Sequence, residues 1–362
     1  MPKIIHTSEK YADFHAPEIL ILINGKKIRQ KGIDVSEVSI ELILNGAGTF
    51  SFVIPQVLDD KMTVKYSGIF HFGDKVEISL GYKDKLFPVI TGMITSLSWS
   101  FDEENYLDLT VEGYDYLFLM MKNEKYHSWN NKTDTQVIKE IVKKYPFKKM
   151  NIENTAVKYP QIRQEGESDF IFLKRLAQRN GYEYFAERET FTFRPPGVEK
   201  QEKFVLKLGI DLLEFISKMS VAQQVNEVRV VGWNPEAKKE IVGRAKKEDI
   251  ENVDRDGKTG AQTIQSICKE EIVKEVRASV QDNEEAKLLA KSILFDIAYS
   301  MVKAQCKAIG IPELRPGQVI QLKGVGDLFS RKYYVDKVTH VIGKDGYDTN
   351  FTVKGNTYNE SY

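Results

Sequence analysis

GDKVEISLGYKDKLFPVITGMITSLSWSFDEENYLDLTVEG, residues 73–113, alternates apolar and polar side chains through KVEISLGY, PVITGMITSLSWS and YLDLTVEG, the last running on into YDYL (114–117). A period of two places one set of side chains on each face of a strand, the pattern of a half-buried sheet. Upstream, SIELIL (39–44) and TFSFVI (49–54) carry the same signal, and Asn45-Gly46 and Phe72-Gly73-Asp74 supply turns. From about Ile19 to Tyr116 the chain therefore reads as a β domain, barrel or sandwich, of five or more strands.

A second block, GQVIQLKGVGDLFSRKYYVDKVTHVIGKDGYDTNFTVKG (317–355), repeats the first. Gly73/Gly317, Ile78/Leu322, Ile94/Val338 and Thr95/Thr339 align at an offset of 244, and Thr110/Thr352, Val111/Val353 and Gly113/Gly355 at 242. Any two strand-turn-strand segments share some alternation, but the ordered match of glycines and Thr-Val pairs favours duplication. Three chains carrying two similar domains each can present a six-fold-like ring.

Between the blocks the period changes to that of helices. Thr133 with Gln136 makes a capping box before Val137, Ile138, Ile141 and Val142, and Pro146 stops that helix. Ser168 caps a second helix, whose positive end suits Asp169, and Phe170, Leu173, Leu176 and Ala177 form its apolar stripe before Asn180-Gly181 ends it. YEYFAERETFTFRPP (182–196) reads as a hairpin. Strands return from Phe204. Residues 243–282, rich in Lys, Glu, Asp, Gln and Ser, suggest a solvated or mobile excursion, and a helix is expected from about Asn283 to Ala308. The division is a β domain over 1–118, an α/β domain over 119–198 and a second β domain over 199–362.

Lys plus Arg and Asp plus Glu each total 52 in 362 residues, so no basic excess exists to meet nucleic-acid phosphates. The N-terminus has neither signal-peptide order nor a membrane-spanning apolar run, and synthesis in the cytoplasm is expected. Cys268 and Cys306 read as two buried thiols rather than a disulfide. His6, His15, His71, His127 and His340 lack metal-site spacing, and His340, on a strand, reads as structural. NVDRDGKTG (252–260) has Asn252 where a phosphate loop needs glycine and Thr263 where a calcium loop needs glutamate, leaving a polar turn. NGAGTF (45–50) is a turn. Glu165, Glu167 and Asp169 crowd a helix start, where the backbone dipole favours acids, with Arg175 as an ion-pair partner. No catalytic residue, cofactor or metal is assigned.

One longer pattern stands out: Glu167, Ser168, Asp169, Phe170, Leu173, Arg175, Leu176 and Gly181, within Q-x-x-E-S-D-F-x-F-L-x-R-L-A-x-x-x-G-Y-x-Y-F. It resembles the signature of the phage late control D and VgrG hub family. Pro316, Gly317, Tyr333, His340, Tyr347 and Thr349 resemble that family's closing segment, and TGMITSLSWSF (91–101) and DTQVIKEIVKKY (134–145) its intervening elements. The resemblance implies a mainly β hub of VgrG type: two similar β-barrel-like tube domains with a small α/β domain inserted. It implies a non-enzymatic homotrimer forming a pseudo-hexameric ring, with the tail tube protein above, a spike below and other baseplate proteins around it, in a phage tail, bacteriocin or contractile injection system. No nucleic-acid specificity or membrane insertion is expected. Only eleven residues, Thr352 to Tyr362, follow the last signature position, so the spike is expected on a separate chain. The rival reading, from another class, is a particle-associated peptidoglycan hydrolase or glycan-binding module.

Overall fold

The computed structural model describes residues 16–359 apart from 60, 67, 84, 102–105, 199 and 236. His6 and His15 lie outside the described residues. The first β unit comprises β1 (Pro17–Ile23), the two-residue β2 (Lys26–Lys27), β3 (Glu37–Ile43), β4 (Thr49–Ile54), β5 (Lys75–Tyr82), β6 (Lys85–Phe101) and β7 (Leu107–Asp115). Alternation decides which face turns inward: Val76, Ile78 and Leu80 of β5 and Phe50, Phe52 and Ile54 of β4 are all buried.

The middle of the chain folds as α1 (Leu117–Met120), β8 (Lys125–Thr133), α2 (Asp134–Val142), β9 (Lys149–Ile152), β10 (Lys158–Glu167), α3 (Asp169–Asn180), β11 (Glu183–Glu187) and β12 (Thr190–Arg194). The Thr133 capping box forms: Gln136 N donates to Thr133 Oγ1 (3.3 Å) and Thr133 N to Gln136 Oε1 (3.0 Å). β8 pairs with β10, and β11, β12 and β9 make a small sheet. Phe172, Leu173 and Leu176 of α3 enter a core of their own with Trp129, Tyr159, Tyr184 and Phe193. Phe170 is only partly buried at its edge, and the neighbouring Phe172 takes the deep position, stacked on Trp129 at 5.3 Å.

The remaining elements are β13 (Phe204–Lys207), β14 (Leu212–Met219), β15 (Glu227–Asn234), β16 (Lys239–Lys246), β17 (Lys258–Thr259), α4 (Gly260–Cys268), β18 (Val273–Arg277), α5 (Asn283–Ala298), β19 (Val302–Ile309), β20 (Val319–Lys323), β21 (Lys332–Gly343), β22 (Gly346–Gly355) and β23 (Thr357–Tyr358). The structure departs from the sequence expectation at three places in this region. The helix expected to reach Ala308 ends at Ala298: from Val302 the burial alternates, with Ala304, Cys306 and Ala308 inward, so VKAQCKAI is a strand whose small inward residues disguise it. Residues 243–282 are not a bare excursion, since β16, β15 and β18 form a sheet with α5 packed on its core and Thr259 caps α4. Cys306 is buried, but Cys268 is exposed, because α4 buries only Gly260 and Ala261 at its other end.

The duplication appears as strand order. In the first unit the order is β1-β5-β6-β7-β4-β3, and in the second β13-β20-β21-β22-β19-β14. The outermost pair differs in sense, β1 lying antiparallel to β5 and β13 parallel to β20. Gly73 and Gly317 occupy one position: Gly73 N donates to Ile94 O (2.8 Å), and Gly317 N to Val335 O (2.9 Å). β6 and β21 then both bulge, at Thr95 and Asp336. Ile94 therefore corresponds to Val335, not Val338, and Thr95 to Asp336, not Thr339, an offset of 241; Thr110 corresponds to Asn350 rather than Thr352. The hairpin after β5 is three residues longer than its counterpart, and Thr-Val pairs recurring along strands allowed a slipped alignment. β3 also pairs with β21, which joins both units into one thirteen-stranded sheet over a common core.

Leu176→Ala should remove about 2–5 kcal/mol of stability by opening a cavity beneath α3. Urea denaturation of variant and parent measures it, and coincident midpoints would contradict the packing described.

Candidate functional site

The signature around α3 is a network of buried charge. Ser168 Oγ accepts from Ile171 N (3.3 Å), closing the helix start. The Asp169 carboxylate is buried and accepts from the Lys125 ammonium, from Tyr145 Oη (2.5 Å) and from Gln164 Nε2 (2.9 Å). Burial alone would raise its pKa, but these three donors overcome that and hold it below the usual carboxylate range. Arg175 pairs with Glu167 (2.5 Å) and donates to Arg163 O (2.7 Å), while Asp169 takes Lys125 instead. Gly181 ends α3 at φ 65° and lies against Ser292 of α5. The segment fastens α3 to β8, β10 and α5.

The closing signature lies in a different core, where the two β units meet. His340, in the middle of β21, is fully buried. Its Nε2 donates to Leu314 O (3.3 Å) and its Nδ1 accepts from Tyr347 Oη (2.9 Å). Burial and the adjacent Arg315 cation hold the imidazole well below its ordinary pKa, so it is neutral. Arg315 donates to Pro312 O (2.6 Å), Leu314 O (2.8 Å) and, across the unit boundary, Pro88 O (3.1 Å). Tyr82 crosses the same boundary, donating to Gly310 O (2.8 Å) with its ring 5.7 Å from that of Tyr347. Thr349 Oγ1 accepts from Ile311 N (2.8 Å), and Tyr333 Oη donates to Phe329 O (3.0 Å). Pro316 and Gly317 turn the chain into β20, with Gly317 at φ 77°.

The signature residues thus fall into two groups, and a linker that sequence reasoning missed connects the α/β unit to the second β unit. Glu183 is buried on β11, where it accepts from Tyr334 Oη (2.7 Å) and Arg194 Nε (3.0 Å), and Arg194 Nη2 donates to Gly317 O (2.9 Å). Burial pushes the Glu183 pKa up against the pull of Arg194 and Tyr334. Its one sequence signal is an acid set between Tyr182 and Tyr184 at the start of the strand. The Asn45 turn completes the attachment: Tyr184 N donates to Asn45 Oδ1 (3.0 Å), and Asn45 N to Tyr184 O (2.8 Å).

Where the three units converge lies a cavity of about 270 Å³ lined by Leu42, Asp115, Phe185, Arg194, Arg315 and Gly317. Asp115 accepts from Gly48 N (2.7 Å) and Leu117 N (2.8 Å), yet burial pushes its pKa up to about 7. These polar groups are occupied in joining elements, and the chemistry on view is that of attachment between units. Among the described residues no group of three or more His, Cys, Asp or Glu is placed to hold a metal ion. The polar turn at 252–260 is likewise docked, with Lys332 N donating to Asp254 Oδ2 (3.1 Å) and β17 pairing β23.

Residues 15–344 match the family described as Alg8 N-terminal domain. The chain belongs to that family. The family's description names a domain, not a reaction. No curated protein matches the sequence. Among solved structures, the chain is similar to the 43 kDa tail protein of prophage MuSo2 from Shewanella oneidensis, at 15% identity and TM-score 0.69, covering 93% of this chain and 98% of that one. A tail protein from Neisseria meningitidis gives 14% identity and TM-score 0.68, over 94% and 96% of the two chains. An E. coli component of the type VI secretion system, itself described as similar to the T4 tail proteins gp27 and gp5, gives 14% and 0.60, over 94% and 78%. At such identities the likeness establishes a shared fold, the mainly β architecture of phage-tail and VgrG-like proteins.

Within this member of the family, Asp115 carries a measurable consequence. Between pH about 4 and 7 the folded chain keeps a proton on Asp115 that the unfolded chain has lost, so this group's stabilising contribution falls as pH rises. Asp115→Asn lacks that loss. Its stability relative to the parent should therefore climb by on the order of 1 kcal/mol per pH unit from pH 4.5 to 6.5. Urea denaturation across that range tests this, and a difference independent of pH would show Asp115 ionised throughout.

Proposed function

We propose that this protein is a non-enzymatic structural hub of a contractile tail or injection system. In this reading residues 1–118 and 199–362 are two tube-type domains and 119–198 the α/β domain between them. Three copies close a ring of six similar domains, which joins a hexameric tail tube on one side to a trimeric spike on the other. The protein is made in the cytoplasm and assembled into the particle with other baseplate proteins.

The observation that carries this reading is the repeated strand order, β1-β5-β6-β7-β4-β3 and β13-β20-β21-β22-β19-β14, within a single sheet. A chain holding one β unit twice offers six near-equivalent units from three copies, which is what a joint between six-fold and three-fold partners requires. The fold shared with tail proteins supports the setting. The functional residues are then those of attachment, Asp169 and Glu183 in the α/β unit and Arg315 and His340 between the β units.

Native mass spectrometry of the purified full chain, with and without its spike partner, should give three times the 41.5 kDa chain mass in at least one condition. A monomer in both would sink the ring, and peptidoglycan turnover by the pure chain would favour the hydrolase reading instead.

A further inference from the structure

The cavity where the three units converge holds more positive charge than attachment uses. Arg194, Lys200, Lys203 and Arg315 line it, against the carboxyls of Asp115 and Glu187. Asp115 is buried with its pKa pushed up to about 7, so below that pH it adds little negative charge, and Glu187 is exposed to water.

Arg315 is the least compensated of these cations. Its Nη1 donates to Pro312 O and Leu314 O and its Nη2 to Pro88 O, all neutral carbonyls. Nη2 carries a second N–H beyond the one Pro88 takes. Nε is buried with no acceptor, and among the described residues no carboxylate lies within ion-pair distance of the guanidinium. Burial pulls its pKa below the ordinary value, as expected of a charge taken from water without a counter-ion. Arg194 stands close by. Its Nη2 donates to Gly317 O (2.9 Å), two residues along from Arg315, and its Nε to Glu183 Oε1 (3.0 Å), which leaves Nη1 without an acceptor among the described residues. The ammonium of the exposed Lys203 also has no partner among them.

Buried charge is costly until it is paired, so these groups call for an anion. The walls restrict which anion. Leu42, Ile43, Val89, Phe185, Pro316 and Val319 give the cavity an extensive apolar lining, and its 270 Å³ matches the liquid volume of roughly nine waters. We propose that this cavity binds a small organic anion, a carboxylate on an apolar body, with the carboxylate between Arg315 Nη2 and Arg194 Nη1 and the body against Val89, Phe185 and Val319. A bare oxyanion would meet the cations and leave the apolar walls against water; a neutral apolar molecule would do the reverse. The bound anion would tie the α/β unit, through Arg194, to the second β unit, through Arg315, beside Pro88 of the first. A single copy of the chain supplies every group of the site, so it stands or falls apart from the ring.

Benzoate and hexanoate are the probes, one with a ring and one with a chain; benzyl alcohol is the neutral counterpart and inorganic phosphate the bare oxyanion. Each is titrated into the purified full chain at fixed ionic strength, followed by calorimetry and by thermal denaturation. At least one carboxylate should bind saturably, one per chain, and raise the melting temperature as its concentration rises, while the alcohol and phosphate bind more weakly. Arg315→Gln should weaken that carboxylate about tenfold or more by removing charge-assisted bonds. Because Arg315 also holds Pro88 and Leu314, the companion variant is Ala186→Leu, at a half-buried lining position, which fills the cavity and leaves every cation in place. The same loss is expected there. No saturable binding of either carboxylate would overturn the proposal, as would undiminished binding to folded Ala186→Leu. Phosphate binding as tightly as the carboxylates would overturn the organic ligand, and benzyl alcohol binding as tightly would overturn the anion site.

Discussion

An antiparallel ladder between β3 and β21 is the constraint on which the rest of the molecule depends. Without it the thirteen-stranded sheet would fall into a seven-stranded and a six-stranded unit, each with an open edge. With it, Val38, Ile40 and Leu42 meet Val338, His340 and Ile342, and the apolar interiors of both units merge into one. The neutral His340 sits at the centre of this seam because burial beside Arg315 leaves no room for its charge, and Tyr347 and Leu314 O satisfy both ring nitrogens.

Around that seam, attachment is made by polar groups whose partners come from different units. Arg315 reaches Pro88 O, Tyr82 reaches Gly310 O, and Glu183 and Arg194 tie the α/β unit to Tyr334 and Gly317. Such groups are costly to bury unpaired and favourable when paired, so each works as a test of correct assembly rather than a large source of stability. The cavity near Asp115 and Arg315 marks the point where three separately packed cores fail to interdigitate fully.

Local signals in the sequence are legible where they are self-contained. The Thr133 box and the Ser168 cap with its Gly181 stop depend on residues within one or two turns, and both helices form there. Non-local features were harder. β19 hid behind Ala304, Cys306 and Ala308, small residues with little strand preference that fit because Phe351 and Val353 on β22 fill the space beside them. The internal repeat was visible, but its register was not, because the bulges at Thr95 and Asp336 change the count without changing the alternation. Of the attachment residues, those inside long signatures, such as Asp169 and His340, could be singled out. Glu183 could not: Arg194 faces it across the 182–196 hairpin, but Tyr334 is brought to it only by the fold.

The β3–β21 ladder also imposes an order on biosynthesis. Ile40 pairs with His340, three hundred positions later in the chain. At 5–20 residues per second, β3 waits roughly 15 to 60 s after leaving the ribosome before its partner exists. During that interval a nascent chain carries an unfilled strand edge of defined sequence, and on a polysome the β21 of a chain further along can fill it. Domain-swapped pairs formed in this way are the misassembly this architecture must outrun, and shielding the β3 edge during translation is the step at which a chaperone has most to contribute.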